Sequence, residues 1–149
     1  MKIGLNVMAW IAMGALPPLA VACAPVESTV LINELSTDAG GKIELAGTTA
    51  DPVDLSGWTV RREAGGLGFT FKQGVTLAPG VHLVLTQQTD QPFVLDKSDV
   101  VLLEDQTGLL LDRVEIASGQ AALSYCRIPD GDGPFQMCSR ATFGEANQP

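Results

Sequence analysis

The chain is poor in aromatic rings, histidine, basic residues and long unbroken apolar runs, and each shortage excludes something. Aromatic residues make up 5% of the 149 positions, and His82 is the only histidine. A sugar-cleaving cleft needs stacking platforms beside its two carboxylates, and rings this scarce are needed by the core. A zinc centre built on Cys126 and Cys138 would need further thiol or imidazole ligands, and no third thiol lies near them. Nine basic residues stand against 17 acidic ones, for a net charge of −8. Such a surface repels nucleic-acid phosphates, so no nucleic-acid partner is expected. The acidic residues are scattered, which reads as a solvated face. No G-x-S-x-G elbow occurs, so nothing marks a serine nucleophile. No second domain, internal repeat or low-complexity tract is visible, and the length suits one ordinary domain.

The first two dozen residues differ from the rest. Lys2 is the only charge before Glu27, and an apolar run from Ile3 to Leu16 follows it. Pro17 and Pro18 interrupt this run short of the roughly 20 residues a membrane span requires. A basic start, a short apolar run and a small-residue exit predict a secretory signal over residues 1–22; an uncleaved N-terminal anchor is the alternative. Ala20-Val21-Ala22 supplies the small residues that a signal peptidase reads, leaving Cys23 first in the mature chain. This exit resembles a bacterial lipobox, in which the cysteine is acylated, except that Ala20 stands where leucine is usual. Cys23 is therefore the lipidation candidate, and residues 23–28 read as a short tether. Export without lipid, to the periplasm or the outside, stays open. Loss of Lys2 would leave 8 basic and 17 acidic residues, a net charge of −9.

Three cysteines in an exported protein leave one over unless something uses it. Whether Cys23 takes lipid or is lost with the signal, Cys126 and Cys138 remain as an even pair in an oxidising compartment. They are expected to form a disulfide tying the last strand to its neighbour.

From Val30 onward the pattern is β. Val30–Leu35, Lys42–Leu45, Trp58–Arg62, Phe69–Phe71, Val81–Leu85, Phe93–Leu95, Asp99–Leu103, Leu109–Ile116 and Leu123–Ile128 read as about nine short strands. Thr37-Asp38-Ala39-Gly40-Gly41, Gly65-Gly66, Ala78-Pro79-Gly80 and the hairpin loop Glu104-Asp105-Gln106-Thr107-Gly108 read as turns. Short strands at this spacing, with no helical stretch, predict an antiparallel β-sandwich over residues 29–147.

Several residues invite a chemical reading. Asp130-Gly131-Asp132-Gly133 hints at calcium, with Glu104 or Asp105 as further oxygen donors, but lacks the spaced ligands and closing glutamate of an EF loop. Asp-Gly steps are also strong turn signals, and Asp130 and Asp132 are only weak metal candidates. Glu34 and Glu44 fall on adjacent predicted strands, where two carboxylates can face each other as in acid–base catalysis. His82 lies between Val81 and Leu83 and is expected to be exposed or hydrogen-bonded. Arg61-Arg62 is a surface pair too small to bind nucleic acid on a negative chain.

A set of pieces in order resembles a known family. Leu31-Ile32-Asn33-Glu34-Leu35, Ile43-Glu44-Leu45, Val53-Asp54-Leu55-Ser56-Gly57-Trp58, Leu77-Ala78-Pro79-Gly80, Leu111-Asp112-Arg113-Val114 and Ser124-Tyr125-Cys126-Arg127-Ile128-Pro129-Asp130-Gly131 follow the order of lamin-tail domains. Ala141–Asn147 is similar to the family's terminal threonine–proline–glycine–asparagine pattern, with Phe143 in the proline's place. The resemblance implies an immunoglobulin-like sandwich, of bacterial secreted type, with no shared catalytic residues. It makes Asn33, Glu34, Gly57, Trp58, Gly80, Asp112 and Asn147 structural: Trp58 as an inner anchor, Gly57 and Gly80 in turns, and Asn33 and Asn147 bonding backbone at strand ends. The expected function is a non-catalytic cell-envelope or secreted interaction or structural module, possible membrane attachment running through Cys23. Its partner would be an unspecified protein or envelope component, and no cofactor is expected. The alternatives are a calcium- or carbohydrate-binding module and, third, a hydrolase.

Overall fold

The computed structural model describes residues 28–117 and 123–149. The expected signal, most of the tether and Cys23 lie outside the described residues. Eleven strands are present among the described residues: β1 (Val30–Ser36), β2 (Lys42–Gly47), β3 (Val53–Asp54), β4 (Thr59–Arg62), β5 (Phe69–Thr70), β6 (Thr76–Leu77), β7 (His82–Thr86), β8 (Val100–Glu104), β9 (Leu110–Glu115), β10 (Tyr125–Arg127) and β11 (Phe135–Met137). They form a five-stranded sheet ordered β11-β10-β1-β2-β7, a four-stranded sheet ordered β5-β4-β8-β9, and the small β3-β6 ribbon. All pairings are antiparallel. The architecture is an immunoglobulin-like antiparallel β-sandwich.

Alternation dictates the layering. Ile32, Leu35, Ile43, Leu45, Leu83 and Leu85 share one face of the larger sheet through their cross-strand register, and they pack into the core. Val60, Val101, Leu103 and Val114 do the same from the smaller sheet. Trp58 is buried in this core, beside Leu55 and Phe71. Phe69 and Phe71 meet edge to face at 4.9 Å, as expected of rings sharing one face.

Two strand expectations are corrected. Phe93–Leu95 forms no strand: Phe93 and Leu95 are buried from an irregular segment, so their alternation reflects inward packing without ladder partners. β3 and β6, two residues each, form where the sequence marks no strand, because Val53 and Asp54 pair with Leu77 and Thr76 far along the chain. The hairpin between β8 and β9 is stabilised by Asp105, whose carboxylate accepts bonds from the N–H groups of Thr107 and Leu109, with Gly108 at φ 83°.

Candidate functional site

The site grows from the second face of the larger sheet. Gln136, Cys126, Glu34, Glu44 and Val84 form one cross-strand row over all five strands. In a simple half-buried sheet this row would face water. Here Glu34 and Glu44 have no exposed surface at all. The cover is the irregular C-terminal segment after β11, which forms no strand of its own and is held by side chains instead of a ladder.

Each anchor is a buried polar group. Glu34 accepts from Ser124 Oγ at 2.5 Å, and from the N–H and Oγ1 of Thr142 at 3.0 Å each. Glu44 accepts from Asn33 Nδ2 at 2.9 Å and from the Gly144 N–H at 2.6 Å. Asn147 donates Nδ2 to the carbonyls of Asn33 and Arg127, and its N–H goes to Asp130 Oδ1. A buried carboxylate is tolerated only when its lone pairs are satisfied, and both glutamates meet that condition. Burial pushes the Glu44 carboxyl above the usual carboxylate range, against the pull of Gly144, Asn33 and His82 and with a push from Glu34.

The β1–β2 register slips between Ile32 and Glu34, which sets Asn33 in a bulge. Its side chain thereby reaches the β10–β11 turn: Oδ1 accepts from the Gly131 N–H and Nδ2 donates to Asp130 Oδ1, both at 2.9 Å. Asn33 thus acts within the strand, where its expected place was a strand end. His82 Nε2 lies 3.1 Å from Asp130 Oδ2 and is half-buried, the hydrogen-bonded option of the two expected for it. Burial opposes ionisation of Asp130, yet the bonds from Asn147 and Asn33 together with His82 outweigh it and hold its carboxyl low. Around this pair a cleft of about 500 Å³ opens, lined by the end of β2, the start of β7, Asp130–Asp132 and Ala146.

The remaining candidates are scattered. Glu104 forms a two-pronged pair with Arg61, and Asp105 holds its own turn. Among the described residues no three His, Cys, Asp or Glu side chains gather as a cation would require. Arg62 lies against the Phe93 ring and 3.8 Å from Asp99. Gly57 and Gly80 sit at φ 78° and 67°, in turns that favour glycine. Asp112 points between the sheets, where it pairs with Arg127 at 3.0 Å and accepts the Ile32 N–H at 2.8 Å. Cys126 and Cys138 form a disulfide that joins β10 to the residue after β11.

A family model described as Lamin Tail Domain matches residues 24–118, more than half of the chain. The chain belongs to the lamin tail domain family. Its fold is the immunoglobulin-like one of that family, a binding or structural fold and not a known enzyme family. The match ends before β10, so the disulfide, the Asp130 turn and the C-terminal cover lie beyond the matched part of this lamin tail domain. No curated protein matches the chain.

Four polar anchors, Ser124, Arg127, Thr142 and Gly144, lie inside the pieces that resemble the family, but the sequence pattern assigns them no role of their own. Their partners are 90, 15, 108 and 100 positions away, and no local periodicity marks a bond of that reach.

Proposed function

We propose that this lamin tail domain is a non-catalytic interaction module of an exported compartment, attached to a membrane through Cys23. One observation supports it most. The groups best suited to acid–base chemistry, Glu34, Glu44 and Asp130, have their carboxylates engaged in holding the C-terminal segment and the β10–β11 turn. A catalytic pair would present at least one free lone pair to a cleft, and the Glu34–Glu44 pair is wholly buried. Export is supported by the Cys126–Cys138 disulfide, a bond that persists in oxidising compartments, and by the signal-like pattern of residues 1–22.

The test has two readouts on protein recovered from its native host. Intact mass without reducing agent is expected to start at Cys23 and to carry acyl chains. A lipid-free mass removes the tether, and an intact Met1 removes export. Cross-linking in the same cells is expected to capture a recurrent partner in amounts comparable to the chain. Turnover of a substrate by the purified chain, lost on substituting Glu44, would overturn the non-catalytic reading.

A further inference from the structure

Sheet edges are where a β-protein is open to pairing, and natural proteins guard them with charges, prolines, bulges or brevity. The two main sheets have four edges among the described residues: β5, β7, β9 and β11. β5 is two residues long and β11 is three. β9 carries Asp112, Arg113 and Glu115, the arginine paired to Glu63 and Glu115, and its pairing with β8 slips near Leu103. β7 has none of these protections. Its five residues are His-Leu-Val-Leu-Thr, with no lysine, arginine, carboxylate or proline. It runs in unbroken register with β2, from Ala46 opposite His82 to Lys42 opposite Thr86. Only its far end is closed, where Asp90 accepts the Thr86 N–H and the Thr86 carbonyl accepts from Thr89, Asp90 and Gln91. Among the described residues no segment pairs with the outer side of His82–Leu85.

The ground beside this edge is acidic. The cleft opens at the His82 end, with Val81 half exposed at its rim. Asp130 is occupied by His82, Asn33 and Asn147, but Asp132 is exposed and, among the described residues, makes no side-chain hydrogen bond or ion pair. Gly80 and Gly131, on the cleft lining, have open space where a Cβ would stand. Asp90 closes the opposite end, and Lys42 there is turned over the Phe143 ring at 5.2 Å. A second copy pairing β7 to β7 in antiparallel fashion would bring the Asp132 end of one chain to the Asp90 end of the other, on chains of net charge −8. A basic segment meets no such repulsion.

We propose that the β7 edge takes up an extended, basic segment of another protein as an additional strand, its backbone pairing with His82–Leu85 and a lysine or arginine reaching Asp132. This rests on the interaction-module reading above and names the surface and partner chemistry of that module. The backbone ladder would supply affinity, and the alternating side chains of the incoming segment would lie over Val84 and the cleft.

The test uses the full chain, isotopically labelled, and a short synthetic peptide of alternating threonine and valine with a lysine at each end. Titration is expected to shift the amide resonances of His82–Leu85, with smaller effects elsewhere. Methylating the peptide's pairing amide nitrogens is expected to weaken binding about tenfold, as does V84K, since a few backbone bonds of modest net strength are lost. D132N is expected to weaken it about threefold, the scale of one exposed charge pair. Should V84K unsettle the fold, the methylated peptide puts the same question to unaltered protein. Equal binding of plain and methylated peptides would overturn strand addition. So would absence of peptide binding, or dimerisation through β7 that V84K abolishes. Shifts confined to another surface would end the β7 proposal and leave the interaction module standing; failure of that module shows instead as turnover or as the absence of any cross-linked partner.

Discussion

Glu34 and Glu44 stand directly opposite one another on β1 and β2, both fully buried, and neither carboxylate is bonded to the other. Each turns away to a different donor set on the C-terminal segment: Thr142 for Glu34, Gly144 for Glu44. Two like charges on one cross-strand site are unfavourable by themselves. Their persistence here is explained by the donors they satisfy, which would otherwise be buried without partners.

Removing one member of the pair should therefore free the cover. E34A leaves Ser124 Oγ and the Thr142 N–H without their acceptor, while Thr142 Oγ1 keeps Asn147 Oδ1 at 3.0 Å, and the expected loss is about 3 kcal/mol in urea unfolding. The same variant should expose the chain beyond Cys138 to protease, with cleavage products read by mass. Unchanged stability and an unchanged digestion pattern would mean that the cover is held by something other than these bonds.

The two titrating anchors pull in opposite directions with pH. Glu44 has its carboxyl raised above 4.5 in the fold, so the folded state holds that proton more tightly. Its ionisation costs stability as pH rises through the raised value, and acidification from neutrality towards 4.5 restores it. Asp130 has its carboxyl lowered below 3.8, so its contribution is present above that value and is lost as pH falls through the folded value. Thermal midpoints should peak in mildly acidic solution. E44Q should flatten the neutral limb, and D130N the acid limb. A midpoint that does not rise anywhere on acidification from neutrality to 4.5 in the unsubstituted chain would contradict the assignment for Glu44.

The period-two pattern made most of the sandwich legible. Ile43 and Leu45 face the core and Glu44 the other side, as alternation requires. The turn glycines Gly57 and Gly80 were readable for the same local reason, since a positive φ favours the residue without a Cβ. What alternation could not convey is that the second face of the larger sheet is also covered. Thr142, Gly144 and Asn147 have no strand period, because their bonds go to carboxylates and carbonyls 100 or more positions away, or to Asp130 and Arg127 across the turn. Phe93 and Leu95 misled for the converse reason, being alternating apolar residues with a core to fill and no strand to join.

The disulfide is expected to contribute through the unfolded chain. Cys126 and Cys138 close a loop over a separation of 12 residues, for which chain entropy gives about 3 kcal/mol. Replacing both with serine should lower the thermal midpoint by that equivalent while leaving the Glu34 anchor in place, since Ser124 and Thr142 bond Glu34 independently of the sulfurs. If the double-serine chain loses the C-terminal cover altogether in digestion, the bridge positions the segment as well as stabilising it.

Arg127 and Asp112 offer the sharpest separation of charge from packing. The guanidinium spans the sandwich: it bonds both oxygens of Asp112 on β9, the carbonyls of Ile32 and Gly133, and lies 4.7 Å from the centre of the Phe135 ring. The side chains of Arg127 and Asp112 are only 15% and 10% exposed, so removing one partner strands the other's charge. R127A should cost about 3 kcal/mol or more, and R127K nearly as much, because an ammonium cannot reproduce the fork and the two carbonyl bonds together. Replacing both residues with apolar side chains of similar size removes the stranded charge, and should recover a large part of the loss even though the Ile32 N–H loses its acceptor. Double-mutant analysis by urea unfolding checks this: a coupling near zero would mean that Arg127 acts through its carbonyl bonds and ring contact alone, with Asp112 serving only the Ile32 N–H.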